Sequence, residues 1–147
     1  MADIDAADFA LLRKWFEDLS GFVNAGDFVS GRTLMSEDLV IFGTYADILV
    51  GRDNAENNQW RNVWTKISGF KGRLDDMHGF TSPDRLFAVG VYAWDSTGYN
   101  QDGTPFDRPG RATVSFTRAK IGDPWIANHT HMSLFRGTPD VSYGKKA

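Results

Sequence analysis

Phe9, Leu12, Phe16 and Leu19 fall on one helical face, and Trp15, Phe22 and Val23 widen that stripe, so an amphipathic helix is predicted over 5–25. Asp3 or Asp5 can cap its start and Gly26 can end it. A short second helix follows at about 27–35 through Phe28, Val29 and Leu34, interrupted by Ser30-Gly31. Leu39-Val40-Ile41-Phe42 then reads as a strand, with Ile48-Leu49-Val50 pairing against it. Asp53-Asn54-Ala55-Glu56 resembles a capping box and starts a helix through about residue 68, with Trp60, Val63, Trp64 and Ile67 on one face.

Beyond that helix the spacing becomes that of strands. Residues 71–81 read as one strand containing Met77, His78 and Phe80, ended by Ser82-Pro83-Asp84. A long strand from Phe87 to Thr97 follows, then the polar connection Asn100 to Pro105. In 111–118, Ala112, Val114 and Phe116 alternate with Arg111, Thr113, Ser115 and Thr117, so the apolar set should look inward. Turn material at 120–124 leads into Trp125-Ile126-Ala127-Asn128-His129-Thr130-His131-Met132-Ser133, the second strand of a hairpin. Strict alternation puts Trp125, Ala127, His129, His131 and Ser133 on one face and Ile126, Asn128, Thr130 and Met132 on the other. Trp125 and Ala127 argue that the histidine face is inward; Ile126 and Met132 argue the opposite. The inward assignment is the one adopted. Helices first and long strands afterwards give an α+β domain.

At 147 residues the chain is expected to form one domain, with a core at about 8–135 and a tail at 136–147. Hydrophobic residues make up 41% and charged residues 24%, which is the balance of a soluble globular protein. Eleven Phe and five Trp suit a core that walls a cavity with few large side chains. A net charge of −3 argues against nucleic acid as a partner. Without cysteine there is no disulfide, thiolate nucleophile or thiolate metal site, and a cytoplasmic location fits. No apolar run has the length of a membrane span, and the acidic start Met1-Ala2-Asp3-Ile4-Asp5 is unlike a signal peptide.

Gly-Arg-Ala-Thr-Val at 110–114, the hairpin, and Trp-Ile-x-x-His-x-His-x-Ser at 125–133 resemble the C-terminal half of SnoaL-like domains in the NTF2-like superfamily. The association domain of calcium/calmodulin-dependent kinase II, a relative, ends similarly. Met35-Ser36-Glu37-Asp38-Leu39-Val40-Ile41-Phe42-Gly43 followed by Val50-Gly51-Arg52-Asp53 resembles the family's beginning. The resemblance implies a cone: N-terminal helices packed on a curved antiparallel β-sheet, with a pocket at the open end. It also implies a homodimer or larger homo-oligomer through one sheet face. Function does not follow from it, because the superfamily holds enzymes, binding modules and assembly domains.

His129 and His131 are the candidate catalytic residues, since imidazole titrates near neutrality and can transfer protons. The alternatives are a structural pair, or two ligands of a metal site completed by His78 or an aspartate; no further spacing supports a metal, and none is expected. Trp60, Trp64, Tyr92 and Trp94 are candidate pocket-lining residues or plain core. Arg111 could hold a carboxylate bidentately or lie at the surface. Asp47 and Asp95 would be bases only if buried in an apolar pocket, on the pattern of ketosteroid isomerase, a relative by fold. The kinase association domains place arginines in their pocket; this sequence has Trp94 and Val114 at two such positions, which argues against borrowing an anionic ligand from them.

No phosphate loop, nucleophile elbow or zinc signature is present, so no cofactor is expected. The expected function is small-molecule binding of the SnoaL-like type. Its enzymatic form would be a cofactor-free acid–base isomerase, cyclase or lyase acting on an apolar or aromatic compound. The alternatives are a non-catalytic oligomerisation module, like the kinase association domain, and a non-catalytic binding or sensing protein.

Overall fold

The computed structural model describes residues 3–146; Met1, Ala2 and Ala147, which carry part of the reading of the termini, lie outside them. The first helix, α1, spans Ala6–Ala25. Asp5 caps it by accepting from the Ala7 and Asp8 amides, and Gly26 ends it at φ 62°, a left-handed turn that glycine adopts without a Cβ penalty. Leu12, Trp15, Phe16, Leu19 and Val23 are its buried stripe, each of the fully buried large side chains contributing about 1.5–3 kcal/mol. Helix α2 is only Phe28–Arg32, capped by Asp27.

A third helical run covers 52–66 and changes gauge along its length. It is α-helical at Arg52–Ala55, a π turn at Glu56–Trp60, α again at Arg61–Val63 and 3₁₀ at Trp64–Lys66. The expected capping box is not used: the N-cap is Gly51, with no side-chain cap bond. Asp53 and Glu56 instead hold Arg32, at 2.6 and 3.2 Å, tying this helix to α2.

The strands are β1 Met35–Phe42, β2 Ile48–Val50, β3 Ser68–Gly72, β4 His78–Thr81, β5 Phe87–Tyr99, β6 Pro105–Asp107, β7 Gly110–Thr117 and β8 Ile126–Leu134. They form one eight-stranded sheet in the order β2-β1-β8-β7-β5-β3, with β4 and β6 also on β5. The sheet is mixed, not wholly antiparallel, because β1 runs parallel to β8. The single strand expected at 71–81 is two, since a 3₁₀ turn at Leu74–Asp76 lets the chain pair first with the far half of β5 and then with its near half.

The β7–β8 register explains the conflicting face signals of the last strand. Phe116 stands opposite Ala127, whereas Ser115 stands opposite His129, so Asn128 is an extra, bulged residue. The bulge resets the alternation. Trp125 and Ala127 are buried, and beyond it Thr130 and Met132 take the inner face. His129, His131 and Ser133 stand on the outer face, opposite Ser115, Thr113 and Arg111. Ser115 Oγ donates to Asn128 Oδ1 across the irregularity.

The hairpin is locked to α1 by charge. Asp8 is 1% exposed and receives Arg85 Nε and Arg118 Nη2, both at 2.6 Å. Arg118 lies 3.8 Å from the Trp125 ring, whose indole N–H donates to the Asp8 carbonyl at 3.1 Å.

Candidate functional site

An internal cavity of about 50 Å³ lies between the third helical run, the inner face of the sheet and α1. Trp60, Val63 and Trp64 come from the helix, Trp94 from β5, and Thr130 and Met132 from β8. Gly43, Thr44 and Arg108, from loops, complete the wall together with Gln59. A larger open groove of about 530 Å³ lies beyond Phe42, Gly43, Thr44 and Met132, which border both spaces.

The aromatic wall is a continuous stack. Trp60 and Trp64 lie 4.9 Å apart at 14°, Phe28 lies 5.3 Å from Trp64 at 18°, and the Arg61 guanidinium sits 4.4 Å from Phe28. Trp94 can lie flat against β7 because Gly110 stands opposite it; a Cβ there would come 2.1 Å from the indole. The indole N–H of Trp94 is buried without a protein partner.

Arg108 is the charged member, 3% exposed, on the turn between β6 and β7. Its main chain is pinned to β5: its amide donates to the Ser96 carbonyl at 2.8 Å, and Ser96 Oγ donates to its carbonyl at 2.6 Å. Its side chain donates from Nη2 to Thr44 Oγ1 at 3.0 Å, and its buried Nε has no partner. Among the described residues no carboxylate pairs with it. Burial pushes its pKa down to about 10, so it remains cationic at neutral pH.

Gln59, in the π turn, holds the loop that carries Thr44. Its Oε1 accepts from the Tyr45 amide at 3.2 Å and the Ala46 amide at 2.7 Å, and its Nε2 donates to Thr44 Oγ1 at 3.1 Å. Gly43 leaves room for it, since a Cβ would meet Oε1 at 2.4 Å. A π turn is the kind of irregularity that turns an extra side chain inward.

Three of the expected lining residues, Trp60, Trp64 and Trp94, border this cavity. Tyr92 is buried on the same face but packs on Phe16, 4.0 Å between centroids; burial without a partner raises its phenol pKa. Arg111 is exposed on the outer face, its Nε 3.3 Å from Ser133 Oγ. His129 and His131 are also outside the cavity. Their rings meet the edge of Phe42 at 5.0 and 5.1 Å, and His129 Nδ1 lies 2.8 Å from the Val40 carbonyl oxygen. Asp95 is exposed and doubly bonded to Arg73, at 2.9 and 2.7 Å, which lowers its pKa. Asp47 is exposed on the groove, His78 is exposed on β4, and among the described residues no cluster of metal ligands forms.

Arg108, Thr44 and Gln59 were not singled out in the sequence. Asp107-Arg108-Pro109-Gly110 reads as a polar turn, and Gln59 sits among polar neighbours, so neither carries a local signal of burial.

No family model matches the sequence, and no curated protein matches it. Solved structures do. An NTF2-like superfamily protein from Salmonella enterica serovar Typhimurium superposes with TM-score 0.73 at 16% identity, covering 91% of this chain and 95% of the other. The chain has the NTF2-like fold. A ketosteroid isomerase-like protein from Erwinia carotovora atroseptica gives TM-score 0.70 at 14% identity, covering 92% of this chain and all (100%) of the other. The S. rosetta calcium/calmodulin-dependent kinase II hub gives 0.69 at 14% identity, over 90% of this chain and 99% of the hub. Within this NTF2-like fold the cavity lies between the helices and the sheet, and its chemistry has to be read from its own residues.

Proposed function

We propose that this NTF2-like chain binds a small molecule with an apolar body and a carboxylate end, held at Arg108, and does not transform it. The observation that carries the reading is a buried guanidinium with no counter-charge. A desolvated cation is costly, and an anion supplied by a ligand relieves that cost through charge-assisted hydrogen bonds. Among the described residues the lining contains no carboxylate and no imidazole, so it offers a cation, hydrogen-bond donors and aromatic walls but no general base. That favours the binding or sensing reading over acid–base catalysis by His129 and His131. The volume suits a ligand of about three to five non-hydrogen atoms, taking roughly 10–15 Å³ for each water-sized centre. So few atoms limit the affinity to about micromolar at best. The test is titration with acetate, propionate and butyrate against the matching primary amides, followed by tryptophan fluorescence, because three tryptophans line the cavity. Saturable quenching by the acids and not by the amides supports the reading; equal responses refute it.

Self-association through the outer sheet face is a second, compatible reading. Val40 pairs with Val50 and Phe42 with Ile48, so four apolar side chains share that face beside His129 and His131. Ile48 is 62% and Val50 67% exposed, and a contiguous apolar patch of this kind marks a contact surface. A homodimer or larger homo-oligomer is the proposed state.

A further inference from the structure

Resting on the carboxylate reading of the cavity, we infer that Thr44 is a specificity-determining residue that offers its ligand a donor only, and that Gln59 is the positioning residue that makes it so. The argument is one of hydrogen-bond direction. Backbone amides only donate, so the two that reach Gln59 Oε1, from Tyr45 and Ala46, fix that atom as oxygen and the other as nitrogen. Gln59 Nε2 therefore donates to Thr44 Oγ1, and Arg108 Nη2, which has no lone pair to offer, donates to the same atom. A hydroxyl has two acceptor lone pairs and one proton. Both lone pairs of Thr44 are taken, and among the described residues no group accepts its proton.

The proton is thus left for the two spaces that Thr44 borders, the cavity and the open groove beyond it. Arg108 and Trp94, whose buried Nε–H and indole N–H have no partner among the described residues, line the same cavity. Thr44 thus adds a donor, and no competing acceptor, to a cavity that two residues with unused donors already line. An ionised carboxylate, which only accepts, satisfies such a set. A primary amide has one accepting oxygen where a carboxylate has two, and its own N–H finds no acceptor at Thr44. Gln59 favours the ionised form by fixing the direction of the Thr44 hydroxyl.

Gln59→Glu reverses the direction while keeping the loop hold. One carboxylate oxygen still accepts from Tyr45 and Ala46, and the other now accepts the Thr44 proton, so Thr44 turns a lone pair to the ligand. The probes are propionate and propionamide, titrated by tryptophan fluorescence into wild type, Gln59→Glu and Thr44→Val, with thermal midpoints recorded. Wild type should prefer propionate, and Thr44→Val should narrow that preference by about tenfold to a hundredfold, the range for one hydrogen bond to a charged group. Gln59→Glu should bind propionamide more tightly than wild type does, a gain that a loosened loop would not give and that adding Thr44→Val to the same variant should abolish. If Gln59→Glu weakens propionate with no gain for propionamide, the inference is overturned. Should that variant fail to fold, an unchanged preference in Thr44→Val overturns it and a narrowed one supports it. If wild type binds neither probe, the Arg108 reading fails, and this inference with it.

Discussion

His129 Nδ1 and the carbonyl oxygen of Val40 lie 2.8 Å apart across the parallel β1–β8 pair. A carbonyl only accepts, so Nδ1 carries the proton and the ring braces the two strands from outside the cavity. His129→Ala should therefore cost about 1 kcal/mol, or about 3–4 °C in thermal midpoint, while leaving carboxylate titrations unchanged. His131→Ala, at an exposed position, should leave the midpoint of the monomer unchanged. A ligand-binding defect in a well-folded His129→Ala would return the histidines to the site.

Much of the fold was legible because its signals are local. The α1 stripe, its Asp5 and Gly26 caps, and the alternation of Ala112, Val114 and Phe116 depend on near neighbours in sequence. The bulge at Asn128 was not legible, because a bulge is a mismatch between two strands and β8 alone shows only one of them. Trp125 and Ala127 pointed correctly to one face and Met132 to the same face, and only an inserted residue reconciles them. The site divides in the same way. Tryptophans on a helical face announce a wall, whereas Arg108 becomes buried through bonds to Ser96 and Thr44, 12 and 64 residues away.

Asp8 should govern stability in acid. The guanidinium of Arg85, and then that of Arg118, hold its carboxyl below the usual range against the opposing effect of burial. A depressed carboxylate pKa contributes stability above the unfolded value, and that contribution is lost as pH falls through the folded value. The thermal midpoint should thus fall steeply below about pH 4. Asp8→Asn should flatten that part of the profile. It should also cost about 3–5 kcal/mol at neutral pH, because Arg118 would be left buried and short of its anion.

Assembly should depend on β2. Ile48→Lys or Val50→Lys places a charge in the centre of the outer apolar patch without touching the cavity, since both side chains are exposed. Sedimentation of wild type at micromolar concentration should give at least a dimer, and either variant should shift it toward monomer. A wild-type monomer would dispose of the assembly reading while leaving the carboxylate site intact.

Gly110 should be intolerant of any side chain. Its Cβ would fall 2.1 Å from the Trp94 ring, so Gly110→Ala must push the indole toward the cavity. Overpacking of this kind costs about 1–3 kcal/mol. The variant should melt earlier and lose propionate quenching together, because the displaced ring takes up ligand space.

Arg108 offers the sharpest test, because function and stability should move in opposite directions. Its cation is buried with one side-chain hydrogen bond and no carboxylate, so the ligand-free protein bears an uncompensated desolvation cost. Arg108→Met keeps the length of the side chain and removes the charge. The expected thermal midpoint is unchanged or higher, by an amount corresponding to up to about 3 kcal/mol, as when other buried charges are replaced by apolar groups. Binding of propionate should be lost. The pH profile gives an independent sign. Burial pushes the guanidinium pKa down to about 10, so above that pH the unfolded chain holds the proton that the folded chain releases. Stability of wild type should therefore gain an upward component as pH rises from about 10, relative to Arg108→Met measured in parallel. A substantially destabilised Arg108→Met would mean that the side chain is a structural strut through Thr44, and the ligand reading would have to be abandoned.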